Sequence, residues 1–193
     1  RRNSVMEARE PVSLNATNAD GVGLQVRFSW IQDRHRHTIG LLIDGRLIPV
    51  FESVEGSSSE VWPPSPPLQQ LSVEEVRPAT QVALLVGMAG KSHWSMSVEP
   101  ANDRAGFVFD VACRSGETAG QLGSGYLLLA DGLRTDGDHD ATIDVAGRSL
   151  QIHCDRDGQT VAKVLDDPLG PRVEPMTINP GGTTRWRYRI ELA

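Results

Sequence analysis

His35-Arg36-His37 is the arrangement of greatest chemical promise in this chain. Two histidines at i and i+2 of a strand project from one face and can chelate a single zinc or iron ion. Both fall in step with Ile39, Leu41 and Ile43, so they extend a core-facing row to the rim of a sheet. A third ligand would have to come from His93, His139, His153 or a carboxylate, and no fixed spacing singles one out. A metal-dependent hydrolase or oxygenase centred on His35 and His37 is one reading, and a polar turn between two strands is the plainer one. Asp136-Gly-Asp138-His-Asp140 places carboxylates at alternate positions, as a calcium loop does at its start. An EF-hand would continue with Gly and close with Glu at its twelfth position, where Ala141 and Gly147 stand instead. A permissive calcium site on Asp136, Asp138 and Asp140 competes here with a solvated acidic turn.

Other motifs carry less. Gly90-Lys91-Ser92 resembles the end of a phosphate-binding loop, but Leu85 occupies the place of its first glycine. The residues that follow, His93-Trp94-Ser95-Met96-Ser97-Val98, alternate as a strand rather than opening a helix, so a hairpin turn is expected. Ser92 and Ser95 lie near His93 in sequence, yet no Gly-x-Ser-x-Gly elbow accompanies them. Cupin-like enzymes follow His-x-His with Glu about four residues on, and Leu41 and Leu42 fill those places. Trp62 and His93 are the ligand-binding candidates. Trp62 precedes Pro63-Pro64-Ser65-Pro66-Pro67, which satisfies P-x-x-P and could enter an aromatic groove of a partner. The same tryptophan could offer a platform to a sugar ring, or simply cover one end of the core.

The elements that must position these residues are strands. Val22-Gly-Leu24-Gln-Val26-Arg-Phe28-Ser-Trp30 and Arg185-Trp186-Arg187-Tyr188-Arg189-Ile190 alternate apolar and polar residues with period two, as half-buried strands do. Twelve such runs are expected, at 22–32, 37–43, 46–55, 68–76, 81–88, 93–99, 106–114, 126–130, 142–146, 149–155, 160–165 and 183–192. Asp44-Gly45 between two of them is a type I′ hairpin signal, and Pro49 demands an edge or a bulge. With little or no helix between strands, the chain reads as all-β, an antiparallel β-sandwich or flattened barrel of about ten to twelve strands. Residues 1–20 read as a loose N-terminal arm and 21–193 as a single all-β domain. The expected core includes Val26, Phe28, Trp30, Ile39, Leu41, Leu84, Val86, Trp94, Met96, Phe107, Phe109, Leu150, Ile152, Trp186 and Tyr188.

Composition narrows the function classes. With 19 Lys and Arg against 25 Asp and Glu, the chain of 193 residues carries a net charge of −6, which disfavours nucleic acid and anionic membranes as partners. No apolar run approaches the ~18 residues of a membrane span. Arg1-Arg2-Asn3-Ser4 opens a polar stretch unlike a secretory signal, but the first residue is not Met, so the compartment stays open. Cys113 and Cys154 share parity with core residues. They read either as two buried thiols or as a disulfide closing about 40 residues, worth ~4 kcal/mol.

Trp62-Pro-Pro-Ser-Pro-Pro-Leu68, Gly87-Met-Ala-Gly-Lys-Ser-His93-Trp94-Ser95 and Phe109-Asp-Val-Ala-Cys113-Arg114 together resemble a set recurring in uncharacterised bacterial all-β proteins. The resemblance spans residues 26–114 and implies no activity and no site residues. The function expected from the residues is a non-catalytic binding or interaction module for a saccharide or a protein, with loops 56–68 and 115–125 the first places to look. A metal-dependent enzyme on His35 and His37, and a structural domain of a larger protein, are the alternatives.

Overall fold

A computed structural model describes residues 9–193. The alternating runs form fifteen strands: β1 (Val12–Thr17), β2 (Gly23–Ile31), β3 (Arg34–Ile43), β4 (Arg46–Ser53), β5 (Gln70–Arg77), β6 (Thr80–Ala89), β7 (Ser92–Pro100), β8 (Gly106–Arg114), β9 (Ser124–Leu128), β10 (Arg134–Asp136), β11 (Asp140–Val145), β12 (Arg148–Cys154), β13 (Ala162–Asp167), β14 (Gly170–Pro175) and β15 (Thr183–Leu192). The single helical element among the described residues is a 3₁₀ turn, Gly158–Thr160. No helix of the described residues is long and apolar enough to cross a membrane.

Two antiparallel sheets pack face to face. One has seven strands in the order β1-β2-β3-β4-β9-β14-β13, the other eight in the order β10-β11-β12-β15-β8-β7-β6-β5. Neither closes, so the molecule is a sandwich and not a flattened barrel. Each of the twelve expected runs is a strand, and three more exceed the expected number. Residues 12–17 leave the expected N-terminal arm to pair with β2, and residues 1–8 lie outside the described residues. β10 has only three residues and no apolar one, and β14 carries Pro171 and Pro175, so neither shows the usual signal.

Local chemistry fixes the hairpins. Asp44 and Gly45 take φ values of 51° and 70°, the pair of left-handed residues that a type I′ turn requires. Pro49 sits beside a bulge: Ile39 pairs Phe51 while Gly40 pairs Pro49, which leaves Val50 as the extra residue. The core lies between the sheets, around fully buried Phe28, Phe51, Trp94, Phe107, Phe109, Tyr126, Trp186 and Tyr188. Phe109 and Tyr188 stack with ring centroids 5.0 Å apart, and Trp94 meets Trp186 edge-on at 6.3 Å. Burial of each such ring contributes ~1.5–3 kcal/mol.

Two residues expected in the core, Leu84 and Val86, lie on the outer face and are 38% and 46% exposed, whereas Ala83 and Leu85 point inward. Cys113 and Cys154 are both buried and free. Cys154 lies opposite Tyr188 and Cys113 opposite Thr184, so β15 stands between them with an offset of four residues. That separation is beyond the ~7 Å between Cα atoms that a disulfide tolerates.

Candidate functional site

The outward face of the eight-stranded sheet carries a groove, built by register. Met88 of β6 lies opposite His93 of β7, and His93 lies opposite Arg114 of β8. One row along the strands, Val86 lies opposite Ser95, and Ser95 opposite Ala112. Ser95 and Ala112 are small, so this second row sinks between the bulkier Val86 and Met88 on one side and Arg114 on the other. The resulting groove has a volume of about 550 Å³. Val86 and Met88 are 46% and 52% exposed along its wall.

Gln69 closes one end of the groove through its amide. Its side-chain oxygen accepts from the Met88 backbone N–H at 2.7 Å and its side-chain nitrogen donates to the Met88 carbonyl at 3.2 Å. The side chain thus prolongs the β5–β6 ladder past the end of β5. On the inner side of β6, Gly87 lets the crossover pack close, because a Cβ at that position would fall 1.8 Å from the Pro67 carbonyl oxygen. His93 therefore belongs to a formed depression, and its neighbours Val86, Met88, Ser95, Ala112 and Arg114 were not among the candidates read from the sequence.

His35 and His37 sit elsewhere, at the inner face of β3. Both are buried. His37 Nε2 shares a 2.8 Å hydrogen bond with the Tyr126 hydroxyl, which is 2.6 Å from the Tyr188 hydroxyl. Trp186 Nε1 donates to Ser124 at 3.0 Å on the same inter-sheet boundary. The His37 backbone N–H donates to Ser53 Oγ, which itself donates to Glu55 at 2.8 Å. Burial lowers the His37 imidazole to about 4 and lifts both tyrosines. Burial also pushes the Glu55 carboxyl up to about 7, against the pull of Ser53, Arg34 and Arg36. One Glu55 oxygen and one Arg34 nitrogen, both buried, have no hydrogen-bond partner.

Among the described residues, no further ligand joins the histidine pair. His35 packs edge-on against Trp30 at 4.9 Å, and desolvation, followed by the charge of Arg9, lowers its pKa. His139 and His153 lie on and beside β11 and β12 of the opposite sheet, where His139 Nδ1 contacts the Ala162 carbonyl at 2.7 Å. Among the described residues, no three His, Cys, Asp or Glu side chains converge on a point where an ion could bind. Asp136 ends β10 opposite Asp140 and Asp138 lies on the turn between β10 and β11, both of them exposed. Asp140 instead engages His153 Nδ1 at 2.7 Å and also pairs with Arg156. Asp140 is thus already paired within the protein, while Asp136 and Asp138 face solvent.

Trp62 is half-buried beneath the glycine-rich loop, where a Cβ on Gly120 would lie 2.9 Å from its ring. Pro63 and residues 65–68 are buried, and the Pro64 carbonyl accepts from Gly125 N–H and from Arg172. This segment is the crossover from β4 in one sheet to β5 in the other, packed as a plug and not displayed as a free P-x-x-P ligand. Gly90-Lys91-Ser92 turns β6 into β7, as the strand alternation requires. Burial lifts the Cys113 and Cys154 thiols to about 11 and about 12, values that leave almost no thiolate at neutral pH.

Comparison with known proteins finds no matching family model and no matching curated protein.

Proposed function

We propose that this chain is a non-catalytic binding module whose ligand is a protein segment lying in the groove over β6, β7 and β8. The observation that carries the reading is the groove itself. It is a formed depression on a rigid sheet face, walled by exposed Val86 and Met88 and floored by Ser95 and Ala112. Apolar side chains aligned on an open strand face match the alternate side chains of an extended partner. A protein ligand is favoured over a saccharide because the groove's outward side chains include no Trp, Tyr or Phe on which a sugar ring could stack. Trp62, the sugar platform expected from the sequence, is half-buried against Gly120.

Ser95→Trp fills the floor of the groove from the solvent side and leaves the core face of β7 untouched. Wild-type protein is expected to enrich binders from a displayed library of random linear peptides, and Ser95→Trp is expected to lose them with an unchanged circular dichroism spectrum. A glycan array run in parallel reads the other ligand class. Glycan binding abolished by Ser95→Trp would replace the protein ligand with a saccharide. Retention of every binder by Ser95→Trp would remove the groove from the function.

A further inference from the structure

Resting on the groove reading, the geometry points to a more specific ligand: an acidic peptide, with a large apolar residue over Val86 and Met88 and an Asp or Glu two or three residues away on Arg114. The apolar groove does not end at Arg114. It opens into a second pocket of about 550 Å³, lined by Lys91, His93, Arg114, Ser115, Gly116 and Gly181, and the two share His93 and Arg114. The site is therefore bipartite, apolar at one end and cationic at the other.

This local charge runs against that of the whole chain, which carries −6. Among the described residues, Arg114 has no carboxylate within ion-pairing distance, unlike Arg185 on the neighbouring strand, which is paired with Asp110 at 2.9 Å. Among the described residues Lys91 reaches only Glu117, at 3.6 Å between two exposed side chains, a contact that solvent screens and that an incoming carboxylate can displace. An incoming carboxylate would meet a guanidinium free to bind it through two parallel N–H donors. The spacing follows from the register. Met88, His93 and Arg114 lie on three adjacent strands, so two inter-strand steps of about 4.8 Å separate the apolar wall from the guanidinium's strand by roughly 10 Å. An extended peptide advances about 3.3 Å per residue. Two or three residues cover the distance, and the long Arg114 side chain takes up the remainder.

The test uses the full chain, the random-peptide library already named, and two variants with the fold monitored by circular dichroism. Wild-type selections are expected to converge on sequences pairing a large apolar residue with Asp or Glu at that spacing. A synthetic copy of the selected peptide should bind by fluorescence polarisation and weaken at least tenfold on Arg114→Glu. Replacing its acids by Asn or Gln should have the same effect, as should raising the salt. Val86→Glu should abolish binding of the same peptide. Enriched peptides that lack acids and bind Arg114→Glu as well as wild type, but fail on Val86→Glu, would overturn the acidic-peptide inference and leave the groove reading standing. No enrichment over library background would overturn both.

Discussion

His37 and Glu55 lie within one buried polar chain, and burial moves them in opposite directions on the pH scale. The unfolded imidazole, ordinarily near 6.5, takes up a proton as the pH falls toward 4, while the folded one stays neutral to about 4. Stability from His37 is therefore complete above 6.5 and is lost as the pH falls through that window. The folded Glu55 carboxyl holds its proton to about 7, while the unfolded one releases it near 4.5. Its contribution is complete below 4.5 and is lost as the pH rises toward 7. Each slope is about 1.4 kcal/mol per pH unit, and between 4.5 and 6.5 they oppose each other. Removing the acid with Glu55→Gln should uncover the histidine, so that stability by urea unfolding climbs by ~1.4 kcal/mol per pH unit across that range. Parallel pH profiles for wild type and Glu55→Gln would refute the opposing pair. The histidines were visible in the sequence as a pair, but their partners were not. Tyr126 and Tyr188 lie 89 and 151 positions from His37 in sequence order, by subtraction of their numbers, and only sheet packing brings their hydroxyls into line.

At the scale of the strand, β6 shows where alternation stops being informative. Val82-Ala83-Leu84-Leu85-Val86-Gly87-Met88 is apolar at both parities, so period two cannot say which side faces the core. Its partner resolves the question: Trp94, Met96 and Val98 of β7 alternate cleanly with His93, Ser95 and Ser97, and Leu85 pairs with Met96 while Leu84 pairs with Ser97. Leu85→Ala should cost ~2–5 kcal/mol through the cavity it leaves, and Leu84→Ala less than about 1 kcal/mol. Urea denaturation of the two variants checks this, and equal losses would mean that the face is misassigned. The same ambiguity hid the groove, because Val86, one of the two residues that wall it, reads as core.

Across the whole molecule, the fold class was legible because half-buried strands impose their period on most segments, from Leu24-Gln-Val26 to Trp186-Arg187-Tyr188. Strand order was not legible, since period two assigns faces and leaves partners open. The order decides the site: Gln69, Met88, His93, Arg114 and Thr183 become neighbours only because β5 to β8 form a meander and β15 pairs with β8. That last pairing governs the integrity of the molecule. β15 lies in the middle of the eight-stranded sheet, with β8 on one side and β12 on the other. Deleting residues 183–193 should therefore abolish cooperative unfolding altogether, with loss of the near-ultraviolet signal from Trp94, which packs against β15 in the intact chain. A sigmoidal melt in the truncated chain would show the two halves of the sheet to be independent. The position of β15 also sets a clock on synthesis. Strands β5 to β8 leave the ribosome long before their neighbour does, and for that interval β8 exposes an unpaired edge beside an open core. A nascent chain in this state must be held apart from its copies until β15 arrives, so faster translation of the preceding codons, 115–182, should improve the yield of folded protein more than slower translation does.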